Sequence, residues 1–152
     1  MSQAPEAPAV ARLSPAALTK MAVELRLACM RISRRVRYES EAAVPPHQYS
    51  ALCRLEEVPR TPGELAEIEK VSAPSMTRTV NSLVERGLAE RTADPSDGRQ
   101  VIVSLTPAAH KILKEIRRTR DAWMTVRVQS LSPEEQEVLR QATQILARVA
   151  GE

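Results

Sequence analysis

The sequence predicts a mainly α fold with one small β-hairpin, six helices and two to three short strands in all. Three observations carry that prediction. Apolar residues recur every three or four positions over long stretches, as at Leu18, Met21, Leu25, Cys29, Ile32 and Val36, which is the period of one helix face. A capping hydroxyl followed by proline, the signature of a helix start, stands at Ser14, Thr61, Thr106 and Ser132. Only Leu88 to Leu105 departs from helical spacing, alternating like two strands around Asp94-Pro95-Ser96-Asp97-Gly98-Arg99.

The elements follow in order. Residues 1–12 hold Pro5 and Pro8 among alanines and read as a disordered lead. Ser14-Pro15 opens a long first helix whose Arg26, Arg31, Arg34, Arg35 and Arg37 mostly lie off its apolar face. Val44-Pro45-Pro46 breaks the chain, and a second helix from His47 to Glu57 carries Tyr49, Leu52, Cys53 and Leu55 until Pro59. Thr61 and Glu64 have the spacing of a capping box for a short third helix, over by Lys70, with Leu65, Ala66 and Ile68 packing inward. Ser72 caps a fourth helix with Met76, Val80, Leu83 and Val84 on one side and Pro74, Ser75, Arg78, Asn81, Ser82 and Glu85 on the other. Gly87 stops it. Leu88 to Arg91 and Val101 to Leu105 form the hairpin, Thr106 caps a fifth helix ending near Ser130, and Ser132-Pro133-Glu134-Glu135 opens a sixth.

A chain of 152 residues suits one domain, or a small module with helical extensions. With 43% hydrophobic residues but no Phe, one Trp and two Tyr, its core must come from Leu, Val, Ile, Ala and Met, which favours packed helices over an aromatic-rich sandwich. The net charge is only +3 although the pI is about 9.2, so attraction to a polyanion depends on where the arginines sit. Cys29 and Cys53 lie far apart outside any CxxC pattern, which gives no disulfide framework, no zinc signature and a reducing cytoplasm as the expected setting. No apolar run reaches the length of a membrane span and no secretion signal is visible. His47 and His110 are the only histidines, carboxylates are not clustered in metal-binding spacing, and four glycines leave no phosphate loop, so neither metal nor cofactor nor enzyme is expected.

Two short helices followed by a basic hairpin make a helix-turn-helix with a wing, a plan that holds one helix in a groove of double-stranded DNA. Ser75, Thr77, Arg78 and Asn81 are types that hydrogen-bond base edges and phosphates, and Ser72, Pro74 and Ser82 share their surroundings. The alternative is a plain solvated face. At the hairpin tip Arg99 suits the negative potential of a narrow minor groove, with Asp97 holding the guanidinium or the turn.

This order of elements resembles the MarR family of bacterial winged helix-turn-helix regulators over roughly residues 14 to 150. Asp94 to Thr106 is similar to the family's wing, its Asp-x-Arg element matched by Asp97 and Arg99; Ser72 to Gly87 is similar to the recognition helix, and Thr61 to Ala66 to the helix before it. The resemblance implies a transcriptional regulator, mostly repressors in this family, that binds a pseudo-palindromic operator as a homodimer. It divides the chain into a helical dimerisation region, 13–43 and 106–150, and a DNA-binding domain, 44–105, with Thr61 among the DNA-facing residues. It further implies release by a small phenolic or lipophilic effector, for which Met21, Leu25, Tyr38, His47, Tyr49 and Trp123 are the lining candidates; core packing is the plainer reading of each. Two alternatives stay open: redox sensing through Cys29 or Cys53, both of which also read as small buried hydrophobes, and a winged module that docks protein rather than DNA.

Overall fold

The computed structural model describes residues 12–39, 44–95, 97 and 100–151. The expected N-terminal lead falls almost wholly outside the described residues, as do Ser96, Gly98 and Arg99 of the expected wing tip. The chain divides into two compact units, residues 1–35 and 36–152.

The first unit is nearly all of helix α1 (Pro15–Glu39), which opens where the Ser14 hydroxyl accepts the Ala17 N–H at 3.3 Å. Its apolar face is as periodic as the sequence suggests, yet Leu18, Met21, Leu25 and Ile32 are all exposed. Cys29, on the same face, is exposed too and not a buried hydrophobe.

In the second unit, α2 (Pro46–Glu57) stops because Val58, preceding Pro59, is driven to the extended region at φ −165° and ψ 146°. Thr61 then opens α3 (Pro62–Ile68) through a complete capping box: its hydroxyl accepts the Glu64 N–H at 3.2 Å and Glu64 accepts the Thr61 N–H at 2.7 Å. Two bonds close α3, Lys70 N–H to Glu67 carbonyl and Val71 N–H to Ala66 carbonyl, and they force Lys70 to φ +52°. The same motif ends α4 (Ala73–Glu85) at Gly87, φ +67°, with the Leu88 N–H donated to Leu83 at 2.8 Å. That bond takes Leu88 out of the hairpin, so β1 runs Ala89–Ala93 rather than from Leu88.

Strand β1 pairs antiparallel with β2 (Val101–Leu105), Ala89 opposite Leu105 and Arg91 opposite Val103. Arg60 adds a one-residue third rung by exchanging both backbone bonds with Val103. Thr106 caps α5 (Pro107–Gln129) and also donates its hydroxyl to the Gly87 carbonyl at 2.7 Å, tying the wing's exit to the end of α4. Ser132 and Glu135 form the capping box of α6 (Pro133–Ala150).

The core gathers the inner faces of α2 to α4, the root of the hairpin and the first half of α5. Leu52, Leu65, Leu83, Leu113, Val80 and Val103 are fully buried there. Each leucine contributes about 1.5–3 kcal/mol of burial. Ala109, Leu113 and Ile116 of α5 belong to this same core, so α5 is anchored in the winged module before it leaves it. Leu65 and Ala66 pack inward as expected, but Ile68 does not, because α3 ends there and turns its last residue outward. No residue of α6 is buried, although Val138, Leu139, Ile145 and Val149 are apolar.

Candidate nucleic-acid interface

The exposed side of α4 carries Pro74, Thr77, Arg78 and Asn81. Arg78 has neither a hydrogen bond nor an ion pair among the described residues, so its five donors are available to an external acceptor. Thr77 donates its hydroxyl back to the Ala73 carbonyl at 2.9 Å, which leaves the oxygen outward as an acceptor. At the N-terminus the Ser72 hydroxyl accepts the Ser75 N–H at 3.4 Å.

Three of the expected DNA-facing residues have local duties. Ser75 is half-buried and its carbonyl accepts the Thr79 hydroxyl. Ser82 does not share the outward side; it is half-buried and accepts the Gln48 amide at 3.0 Å. Thr61 also donates its hydroxyl to Glu64 at 2.9 Å, and its backbone N–H above all holds the Glu64 carboxyl below the usual carboxylate range.

At the wing, Gln100 donates its backbone N–H to the Asp97 carbonyl at 2.8 Å and its side-chain amide to the Asp97 carboxylate at 3.3 Å. The Asp94 N–H returns to the Gln100 carbonyl at 3.0 Å. Asp97 is thus tied to the turn through Gln100; Arg99 lies outside the described residues. The root of the wing reaches the helix as well: Arg91 of β1 donates to the side-chain oxygen of Asn81.

Helix α2 braces this head at two ends. Gln48, 6% exposed, donates to Ser82 and accepts from Arg86 at 2.7 Å, which fixes the last turn of α4. Ser50 and Arg54 donate to Glu69, at 2.5 and 3.0 Å, at the turn between α3 and α4. Periodicity gave no role to Gln48, Glu69, Arg86 or Arg91. A usable signal existed for Gln48, which shares the i, i+4, i+7 stripe of Leu52 and Leu55.

Of the six effector candidates, Tyr49 borders a cleft beside α2. The space is about 310 Å³, lined by Arg37, Tyr49, Ser50, Cys53, Arg54 and Arg120. Arg120 lies over the Tyr49 ring at 4.0 Å, and its buried Nε has no partner. Burial, then the neighbouring Cys53, pushes the Tyr49 hydroxyl up from its ordinary value. Tyr38 and His47 are exposed, Trp123 is half-buried under the Arg127 guanidinium, and Met21 and Leu25 are exposed in the first unit. Cys53 is half-buried. Among the described residues no three His, Cys, Asp or Glu side chains are grouped to hold a metal, and no helix is long and apolar enough to cross a membrane.

The sequence pattern of the MarR family matches residues 44–100. An HTH-type transcriptional regulator of Mycobacterium tuberculosis is 38% identical over 135 residues, covering 88% of this chain and 94% of that protein. Among solved structures, a MarR family protein from Bacillus stearothermophilus superposes with a TM-score of 0.73 at 22% identity, covering 93% of this chain and 100% of that one. A variant of MepR from S. aureus bound to an oligodeoxyribonucleotide gives a TM-score of 0.67 at 19% identity, covering 85% and 97%. At such identities the structural likeness speaks for the fold; the mycobacterial transcriptional regulator carries the relationship in sequence.

Proposed function

The chain belongs to the MarR family of transcriptional regulators, and on that premise we propose that it works in the cytoplasm as a homodimer on a pseudo-palindromic operator, repressing transcription until a small effector is bound. The observation that carries the reading is the exposed side of α4, where Arg78, with no partner among the described residues, stands between Thr77 and Asn81. Such a face reads base edges in a major groove, while the wing, with Arg99 at its tip, reaches the adjacent minor groove.

Dimerisation through α1, α5 and α6 is supported by exposed apolar side chains that a lone chain leaves wet: Leu18, Met21, Leu25 and Ile32 on α1, and Val138, Leu139, Ile145 and Val149 on α6. A twofold axis would set the two α4 helices one DNA turn apart, roughly 34–36 Å.

The cleft beside α2 supports the effector. Its guanidinium groups and its tyrosine suit a small phenolic ligand with an ionised oxygen. Ser50 and Arg54 both line that cleft and hold Glu69 at the helix-turn-helix turn, so a ligand drawing on those donors would loosen the head.

Selection of bound sites from random duplex DNA tests the proposal. An inverted repeat with half-site centres about 10 base pairs apart is the expected product. Recovery of no preferred sequence, or a protein that stays monomeric at working concentration, would overturn it.

A further inference from the structure

Arg91, a strand residue, joins the wing to the outward face of α4, and its position explains why. Alternation along β1 puts Ala89, Arg91 and Ala93 on one side, opposite Leu105, Val103 and Val101. Ala89 and Val103 are buried, so this is the side turned to the core. A charged residue there cannot end among apolar side chains. It runs to the rim, where its guanidinium donates to the Asn81 side-chain oxygen.

The partner also decides which way the Asn81 amide faces. A guanidinium offers only donors, so the oxygen must point to Arg91 and the NH2 must point away. An unconstrained asparagine reads adenine with both ends of its amide, accepting from N6 and donating to N7. With the oxygen engaged by a cation, the end that remains is a pair of donors, which meets both acceptors of guanine or the O4 of thymine but only the N7 of adenine, whose N6 donor is left without its partner.

We propose that Arg91 is a specificity-determining positioning residue: it holds Asn81 as a donor to the groove and thereby biases the base that Asn81 meets against adenine. The inference rests on the reading of α4 as the base-reading helix. It adds the wing's root, as distinct from its tip, to the reading of the major groove, and it makes the β1–α4 contact part of operator choice.

The test is site selection from random duplex DNA with the full-length protein and its Asn81→Ala, Arg91→Met and Arg91→Lys variants, each first matched to the parent by circular dichroism and thermal midpoint. Methionine keeps the apolar stem of Arg91, so the fold should survive. Asn81→Ala identifies the base pair concerned as the position in each half-site whose preference disappears. At that same position the parent should favour guanine or thymine, and Arg91→Met should raise adenine by about tenfold relative to the parent, the scale of one base-edge contact. Arg91→Lys, which restores a cationic donor, should recover most of the parental preference. Three results would overturn the proposal: adenine preferred at that position by the parent itself, Arg91→Met weakening all sequences equally, or Arg91→Met altering a different position from Asn81→Ala. A parent that selects no sequence at all would instead remove the DNA-reading role of α4, and this proposal with it.

Discussion

Replacing Gln48 by alanine should destabilise the winged module by about 2–3 kcal/mol. The figure comes from the two bonds its amide makes from a nearly buried position. The bond to Ser82, neutral and 3.0 Å long, is worth about 0.5–1.5 kcal/mol; the one from Arg86, charge-assisted and 2.7 Å, about 1.5–3 kcal/mol. Arg86 is exposed and can return to water, which holds its share near the lower end. Urea unfolding followed by far-ultraviolet circular dichroism, at one fixed protein concentration so that any subunit association is held constant, should show the midpoint fall by about 1 M. Gln48→Glu keeps an acceptor for Arg86 and lets the Ser82 hydroxyl donate, so it should lose less than half as much. In a double-mutant cycle, Gln48 and Ser82 should couple by about 1 kcal/mol. A loss below about 0.5 kcal/mol for Gln48→Ala, or additive effects of Gln48 and Ser82, would mean that this amide does not brace α4.

Lys70→Gly should stabilise the protein by about 0.5–1 kcal/mol, because glycine takes φ +52° without the steric cost lysine bears; a lower thermal midpoint would contradict that. Glu56 is held below the usual carboxylate range first by its hydrogen bonds from Arg117, which join α2 to α5. A carboxyl depressed in the folded state stabilises above its unfolded value of about 4.3 and loses that contribution as the pH falls through the folded value. The stability difference between the parent and Glu56→Gln should therefore shrink below about pH 4; a gap that is constant from pH 7 to pH 3 would show the pair to be inert. Arg78→Ala should cost about 1–3 kcal/mol of operator binding and flatten the preference at one base pair per half-site, and unchanged selectivity in a binding titration would take Arg78 out of the reading face.

What was legible in the sequence was local. The boxes at Thr61 and Ser132 and the stop at Gly87 are set by residues three or four apart, so spacing alone reveals them. The α3 stop was not legible, since Lys70 adopts the glycine conformation without being glycine. Helical spacing also placed Ser82 outward. It lies at the border of the apolar stripe, and a glutamine 34 residues away settles its side. Gln48, Glu69 and Arg86 share this trait: each acts through a partner on another element, and no periodicity in a single chain names that partner. The alternation of Arg91 with Ala89 was readable only once β1 was known to run past Arg91. On α1 and α6 the sequence shows which side is apolar but not what covers it.

Helix α2 is the element on which reading and release would meet. Gln48, Tyr49, Ser50 and Arg54 fall within two turns: Gln48 grips the end of α4, Ser50 and Arg54 grip the turn before it, and Tyr49, Ser50 and Arg54 also border the cleft. A ligand can shift DNA affinity only by as much as it binds one arrangement of the head better than the other. The contact between Arg54 and Glu69 is a charge-assisted bond between side chains that are 42% and 18% exposed, so solvent screens it in part. Its exchange for a ligand oxygen, together with loss of the Ser50 bond to the same carboxylate, would lower operator affinity by the difference in stability between the two arrangements. On the proposed reading, such a switch would need no large motion. It requires only that two donors serving Glu69 also face a space a small molecule can enter, which is the arrangement along α2.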